Sequence, residues 1–244
     1  MSSKAPTGGA LARGWRDLAA GFTTLLYPRL CLNCRRPVGP RQTAQLCAGC
    51  WSQLSFTEYW TLPANPLTDR LAGRVPLTFG AGLLHYHRGN VTQRLIYALK
   101  YHHRPEIGVE LGQLLGERLR EVAALADLTG VVPVPIHGRR RHERGYNQAE
   151  RIAAGVSNAL GVRVYPQALR RREFRGSQTR RNRYERVDNT AQAFGPGRGD
   201  FRGGHLLLVD DVATTGATLD FCANTLLAQH PDLRLSVATL ALTE

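Results

Sequence analysis

The sequence predicts an open, mostly parallel α/β sheet flanked by helices, preceded by a small module built on four cysteines. Three observations carry this. From residue 79 onward, short apolar runs alternate with stretches of helical periodicity, as in chains that wind helices over a parallel sheet. The run Leu206-Leu207-Leu208-Val209 ends abruptly in Asp210 and Asp211, ahead of a small, hydroxyl-rich turn, and such sheets bind ligands at strand carboxyl ends. Two Cys-x-x-Cys pairs lie between residues 31 and 50. The 244 residues suffice for one main domain and a small satellite. No apolar run approaches the ~18 residues needed to span a bilayer, so membrane insertion is not expected. Arg16 and Asp17 interrupt the apolar N-terminal stretch, which makes cytoplasmic residence the default expectation.

In chain order, residues 1–27 are expected to form an amphipathic helix. Its apolar stripe is Leu11, Trp15, Leu18, Ala19, Phe22, Leu25 and Leu26, stopped by Pro28. Residues 28–62 form the cysteine module. Cys31-x-x-Cys34 and Cys47-x-x-Cys50 are separated by twelve residues, with Pro37, Gly39, Pro40 and Gly49 supplying turns. That spacing suits tetrahedral coordination of Zn²⁺ by four thiolates, a closed and therefore structural site; disulfides are the alternative, disfavoured in a reducing compartment. Arg29, Arg35, Arg36, Arg41 and Trp51 either contact nucleic acid or merely surround the fold. Pro63, Asn65 and Pro66 read as a linker, which places the boundary near residue 63 and gives a main domain of 63–244.

Within that domain the pattern predicts a strand over 79–86, a helix over 91–101, and a longer helix over 107–125. The long helix has Leu111, Leu114, Leu115, Leu119 and Val122 as its stripe. A strand at 131–134 is followed by a basic loop, a helix over 148–160 and a strand at 162–165. Residues 174–190 are polar and Arg-rich without apolar periodicity and read as a mobile loop. A strand over 205–210, a helix over 216–229 and a strand over 233–242 complete the domain.

The net charge of +13 is unevenly placed: residues 135–186 hold fourteen Arg and four Glu, so +10 of it lies there. Such a segment attracts polyanions, whether a nucleic acid or a diphosphate-bearing metabolite. After the acid pair, Ala213, Thr214, Thr215, Gly216, Ala217 and Thr218 supply backbone N–H groups, hydroxyls and a helix N-terminus that can converge on a phosphate. Asp210 and Asp211 suit a cis-diol and can orient a Mg²⁺ shell directly or through water. The alternative is that these residues simply cap a helix. Lys100 stands out because Lys4 is the one other lysine among 32 basic residues; it either offers a point charge to a diphosphate or lies on a helix surface. Cys222 reads as a small buried hydrophobe.

Residues 206–218 resemble the signature of type I phosphoribosyltransferases, in which the acid pair holds the ribose hydroxyls and the Thr-rich loop cradles the 5′-phosphate. Three further elements extend the likeness: the 137–148 segment His-Gly-Arg-Arg-Arg-His-Glu-Arg-Gly-Tyr-Asn-Gln, the Leu99-Lys100-Tyr101 element, and Ser177-Gln178-Thr179. With these the chain resembles the ComF family of competence-associated, phosphoribosyltransferase-like proteins, from the cysteine module to the last strand. The resemblance implies a type I phosphoribosyltransferase fold that binds phosphoribosyl diphosphate with Mg²⁺, and a glycosyltransferase activity toward an unidentified acceptor. Asp210, Asp211 and Lys100 would be catalytic. Residues 213–218, Arg139, Arg144 and Gln178 would bind the ligand, and 177–186 would be the loop that covers the site. It equally admits an accessory protein of DNA uptake or recombination that keeps the ligand site without turnover, with single-stranded DNA and other competence or recombination proteins as partners.

Overall fold

A computed structural model describes residues 28–39, 45–172 and 193–243. The expected N-terminal helix and the 177–186 loop with Gln178 lie outside the described residues. The chain divides into two compact units, residues 1–52 and 53–244. Residues 53–62, which the sequence reading groups with the cysteine module, pack in the second unit: Phe56 bridges Leu84, and the Thr57 hydroxyl donates to the Gly82 carbonyl. Among the described residues no helix is long and apolar enough to cross a membrane.

In the first unit a tight hairpin brings Leu30 opposite Pro37, with Arg35 in the left-handed region at φ 63°. The helix α1 (Ala48–Trp51) carries Cys50. Among the described residues the second unit contains a five-stranded parallel sheet. Its strands are β1 (Leu77–Tyr86), β2 (Gly130–Pro133), β3 (Arg163–Val164), β6 (His205–Ala213) and β7 (Arg234–Thr243), in the order β1-β7-β6-β2-β3. A separate antiparallel pair joins β4 (Leu169–Arg171) to β5 (Phe194–Pro196). The helices are α2 (Pro66–Leu71), α3 (Val91–Tyr101), α4 (Pro105–Leu119), α5 (Gly138–Arg144), α6 (Gln148–Leu160) and α7 (Ala217–Gln229).

Side chains alternate across a strand, so β6 serves two faces. Leu206 and Leu208 join Leu235 and Val237 of β7 in a core with Leu219, Cys222 and Leu226 of α7. Cys222 is fully buried there, as expected of a small hydrophobe. The antiparallel pair packs on the same helix. Against the other face α4 and α6 lie side by side at unusually close range. Gly108, Gly112 and Gly116 recur every fourth residue of α4 and so share one side. A Cβ on Gly112 would sit 2.3 Å from the Ile152 carbonyl oxygen, and one on Gly155 of α6 would sit 2.1 Å from that of Val109.

Four local expectations are corrected. Residues 65–71 are a capped helix and not a linker: the Asn65 side chain accepts from the Leu67 and Thr68 amides, and Thr68 returns a bond to the Asn65 amide. The long helix stops at Leu119, with a 3-10 turn at Ala123–Leu125; the apolar spacing of three from Leu119 onward fits a three-residue turn as well as an α-helix. The basic loop contains α5, capped by His137 and ended by Gly145 at φ 77°. Finally, β6 runs on to Ala213, so the acids lie within the strand.

Replacing Gly155 with Ala sets a methyl against backbone atoms that cannot move aside. Thermal unfolding should show a loss of about 1–3 kcal/mol, despite alanine's better helix propensity.

Candidate functional site

The carboxyl ends of β2 and β6 and the helices that follow them surround a cavity of about 490 Å³. Lys100, Tyr101, Arg140, Arg144, Asn147, Gln148, Arg171, Asp210, Asp211 and Thr218 line it. A smaller hollow of about 30 Å³, lined by Asp210 and residues 212–219, adjoins it; Asp210, Val212 and Thr218 border both. The structure thus brings together Asp210, Asp211, Lys100, Arg144 and the 213–218 turn. Arg139 does not line either hollow: its side chain is exposed and pairs with Glu143 at 2.8 Å. Arg140, the next residue along α5, reaches the cavity instead.

Because consecutive strand residues face opposite ways, the two acids meet different neighbours. Lys100 Nζ lies 3.0 Å from Asp211 Oδ2, and Asp211 is buried. Lys100 sits at the end of α3, which the Tyr146 hydroxyl ties down by donating to the Leu99 carbonyl. Asp210 Oδ1 accepts from the Asp211 amide at 2.8 Å. Burial, followed by repulsion from Asp211, pushes the Asp210 carboxyl up to about 7, against the pull of that amide, Lys100 and Arg171. Asn147 links β2 to α6: its side chain donates to the Val134 carbonyl at 2.9 Å and accepts from the Ala149 amide at 3.0 Å.

The turn after β6 is shaped from outside. Arg70 of α2 donates to the carbonyls of Ala213, Thr214 and Thr243, and Arg74 to that of Thr215 and to the Asp220 carboxylate at 3.0 Å. With its carbonyls held outward, the turn leaves its N–H groups for a ligand at the start of α7. Gly216 must be glycine here: its φ is 78°, and a Cβ would meet Leu71 at 3.3 Å. Sequence reading missed Arg70, Arg74, Arg171, Asn147 and Gln148 as site residues. The 147–148 pair carried a signal, lying directly before a helix at a strand's carboxyl end.

A second constellation has triad geometry but no access. His205 Nδ1 lies 2.9 Å from Asp127 Oδ1 and its Nε2 2.8 Å from Ser236 Oγ, at the amino ends of β6 and β7. His205 and Ser236 are fully buried, so this is a polar clamp between two strands rather than a nucleophile and its base.

In the first unit the sulfurs of Cys31, Cys34, Cys47 and Cys50 all lie within 4.8 Å of one another, and none is in a disulfide. Thiolates bound to zinc at about 2.3 Å stand roughly this far apart. The electrostatics agree. Burial opposes ionisation of Cys31, but the amides of Cys34, Cys47 and Asn33 bring it down to about 6. The Asn33 amide favours the Cys50 thiolate, yet burial and the three neighbouring thiols push Cys50 up to about 12. Four such sulfurs can ionise together only around a cation.

Comparison with known proteins finds a family match for the cysteine module and relatives for about half of the chain. Residues 22–60 match the double zinc ribbon domain. The chain is 33% identical over 141 residues to DNA utilization protein YhgH of Salmonella typhi, a match covering 54% of this chain and 60% of the relative. It is 29% identical over 131 residues to Competence protein F of Haemophilus influenzae, covering 52% and 57%. The match to Competence protein ComFC of Bacillus subtilis is 31% over 110 residues, covering 45% and 43%. The chain therefore spans about three fifths of the length of its YhgH relatives. Among solved structures, a Trypanosoma cruzi hypoxanthine phosphoribosyl transferase aligns at 12% identity with a TM-score of 0.37, covering 57% of this chain and 74% of that one.

Two outcomes follow. The raised Asp210 carboxyl keeps a proton in the folded state that the unfolded chain releases near pH 4, so its contribution to stability falls as pH rises from about 4 to 7. Asp210→Asn should therefore unfold at a higher temperature than the parent at pH 8, with the gap closing toward pH 4 in matched thermal melts. Chelation of metal from the four cysteines should remove one zinc per chain by elemental analysis, and Cys34→Ser should lower zinc retention in the same assay. In sequence the chain is similar to YhgH and to competence proteins F and ComFC over about half its length, and its cysteine module matches a double zinc ribbon.

Proposed function

We propose that this chain binds phosphoribosyl diphosphate with magnesium and transfers the phosphoribosyl group to a nitrogen-bearing acceptor, as a protein of DNA uptake and utilization. The observation that carries the reading is the shared border of the two hollows. The acid pair and its lysine line the larger hollow, the Thr-rich helix N-terminus lines the smaller one, and Asp210, Val212 and Thr218 border both. An acid pair beside an anion-binding turn matches a sugar that bears a phosphate.

In this reading the 214–218 turn takes the 5′-phosphate through backbone N–H groups, and Asp210 and Asp211 accept from the ribose hydroxyls. Lys100 and Arg144 face the diphosphate. Arg144 is held on two sides, by Gln148 Oε1 at 2.8 Å and by the Tyr101 ring at 5.2 Å. The donor set suits magnesium, because a carboxyl pushed up to about 7 gains from a nearby cation, and Asp210 would hold the ion directly or through its water shell. Magnesium, when bound, neutralises charge on the diphosphate. As the acceptor nitrogen forms its bond to C1 of the ribose, the C1–O bond breaks. The electron pair leaves with the diphosphate, and any proton on the nitrogen passes to solvent. The transition state carries oxocarbenium character, so the chain acts by positioning and charge compensation.

A second reading is favoured by a separate observation. Tyr97 and Tyr101 are 53% and 56% exposed on one side of α3, with their rings 4.8 Å apart and Arg144 over Tyr101. Exposed aromatics beside arginines suit stacked bases of single-stranded DNA. A binding protein without turnover would show steep salt dependence and lose affinity in Tyr97→Ala and Tyr101→Ala.

Calorimetric titration with phosphoribosyl diphosphate and magnesium tests the first reading. Micromolar binding that disappears in the Asp210→Asn, Asp211→Asn double variant is expected. Absence of binding by folded, zinc-loaded protein would sink the transferase reading.

A further inference from the structure

Most cations around the cavity have counterparts. Lys100 pairs with Asp211, Arg139 with Glu143 and Arg141 with Glu150, while Arg144 is held by Gln148 and Tyr101. Two arginines differ. Among the described residues neither Arg140 nor Arg171 has a carboxylate partner or a hydrogen-bond acceptor, although both line the cavity. Arg140 comes from α5 after β2. Arg171 ends β4, is partly buried, and lies 4.9 Å over the Phe194 ring of β5. Since β4 and β5 pack on α7, Arg171 enters beside Asp210, whereas Lys100 enters from α3 beside Asp211.

Among the described residues this arrangement is unfavourable. Burial, and after it repulsion from Arg140, holds Arg171 below the usual guanidinium range, and the attraction of Asp210 is not realised as an ion pair. A partly buried cation facing a second cation is relieved when an anion bridges the two. The nearby Glu143 cannot serve, being engaged by Arg139. The Phe194 ring, 4.9 Å beneath the Arg171 guanidinium, supports that side chain at the cavity. A guanidinium offers a fork that matches a carboxylate through two parallel hydrogen bonds.

We propose that Arg140 and Arg171 form a second anion subsite in the cavity, which receives a carboxylate carried by the small nitrogen-heterocycle acceptor. The inference rests on the phosphoribosyl diphosphate reading. There the turn, the acid pair, and Lys100 with Arg144 are assigned to phosphate, ribose and diphosphate, and these two arginines are left over. An acceptor anchored through its acid group keeps its ring nitrogen free to react. Uncharged bases would lack the anchor and leave both guanidinium groups uncompensated.

The test is calorimetric titration of the full chain with pyridine-, pyrimidine- and imidazole-carboxylates, each beside its carboxamide, with and without phosphoribosyl diphosphate and magnesium. At least one carboxylate should bind about tenfold more tightly than its amide, and Arg140→Gln and Arg171→Gln should each abolish that preference. Both variants should bind inorganic diphosphate with magnesium within about twofold of the parent. Equal binding of every carboxylate and its amide would overturn the subsite. So would variants that keep the preference but lose inorganic diphosphate, because the arginines would then belong to the leaving group. Parent protein that prefers carboxylates yet ignores phosphoribosyl diphosphate would support the subsite and overturn the transferase reading.

Discussion

Two adjacent carboxylates inside a buried strand cannot both stay charged unless cations are brought to them. Much of the second unit is arranged around that constraint. Its cations come from opposite faces of the sheet, because strand geometry turns Asp210 and Asp211 to opposite sides. Lys100 meets Asp211 at the end of α3, a helix anchored by Tyr146. Arg171 approaches Asp210 from the antiparallel pair on the other face without closing an ion pair. One acid is therefore neutralised within the protein and the other is left with a proton to lose. That imbalance is a form of stored electrostatic cost at a site, which a cationic or hydrogen-bonding ligand relieves.

Rigidity around this site comes from two devices that involve no ligand contact. The glycine side of α4 lets α6 approach until backbone nearly meets side chain, which fixes the helix beginning at Asn147 and Gln148. Arg70 of α2 and Arg74 just beyond it hold carbonyls of the turn after β6. Both devices act on backbone rather than on the side chains of the turn, where Gly216 is the position that admits one residue type.

The parts of the fold legible in the sequence were those whose burial follows one period. The spans 91–101 and 148–160 match the observed helices, the apolar run at 131–134 overlaps the buried strand Gly130–Pro133, and that at 206–209 lies in a buried strand. Failures have local causes. In α5 no residue is buried, so no apolar period could reveal it. At 63–66 the same Pro and Asn residues that signal a linker also cap a helix, and only the Asn65 bond to the Gly80 carbonyl distinguishes the two. At the candidate site the acids, Lys100 and the turn were readable because their chemistry is concentrated in short segments. Arg70 and Arg171 were not, since each matters through residues far away in the chain and looks like any other arginine in a chain with thirty of them.

The strand order β1-β7-β6-β2-β3 has a consequence for synthesis. An interior strand, β7, is the last of the five to leave the ribosome, and it fills the gap between β1 and β6. Until it arrives, two apolar strands present unpaired edges toward each other, and Arg70 lacks the Thr243 carbonyl that completes its set of acceptors. The nascent chain thus passes through an interval in which open β-edges invite aggregation or chaperone capture. Completion of the sheet and of the phosphate-binding turn become one late, cooperative event.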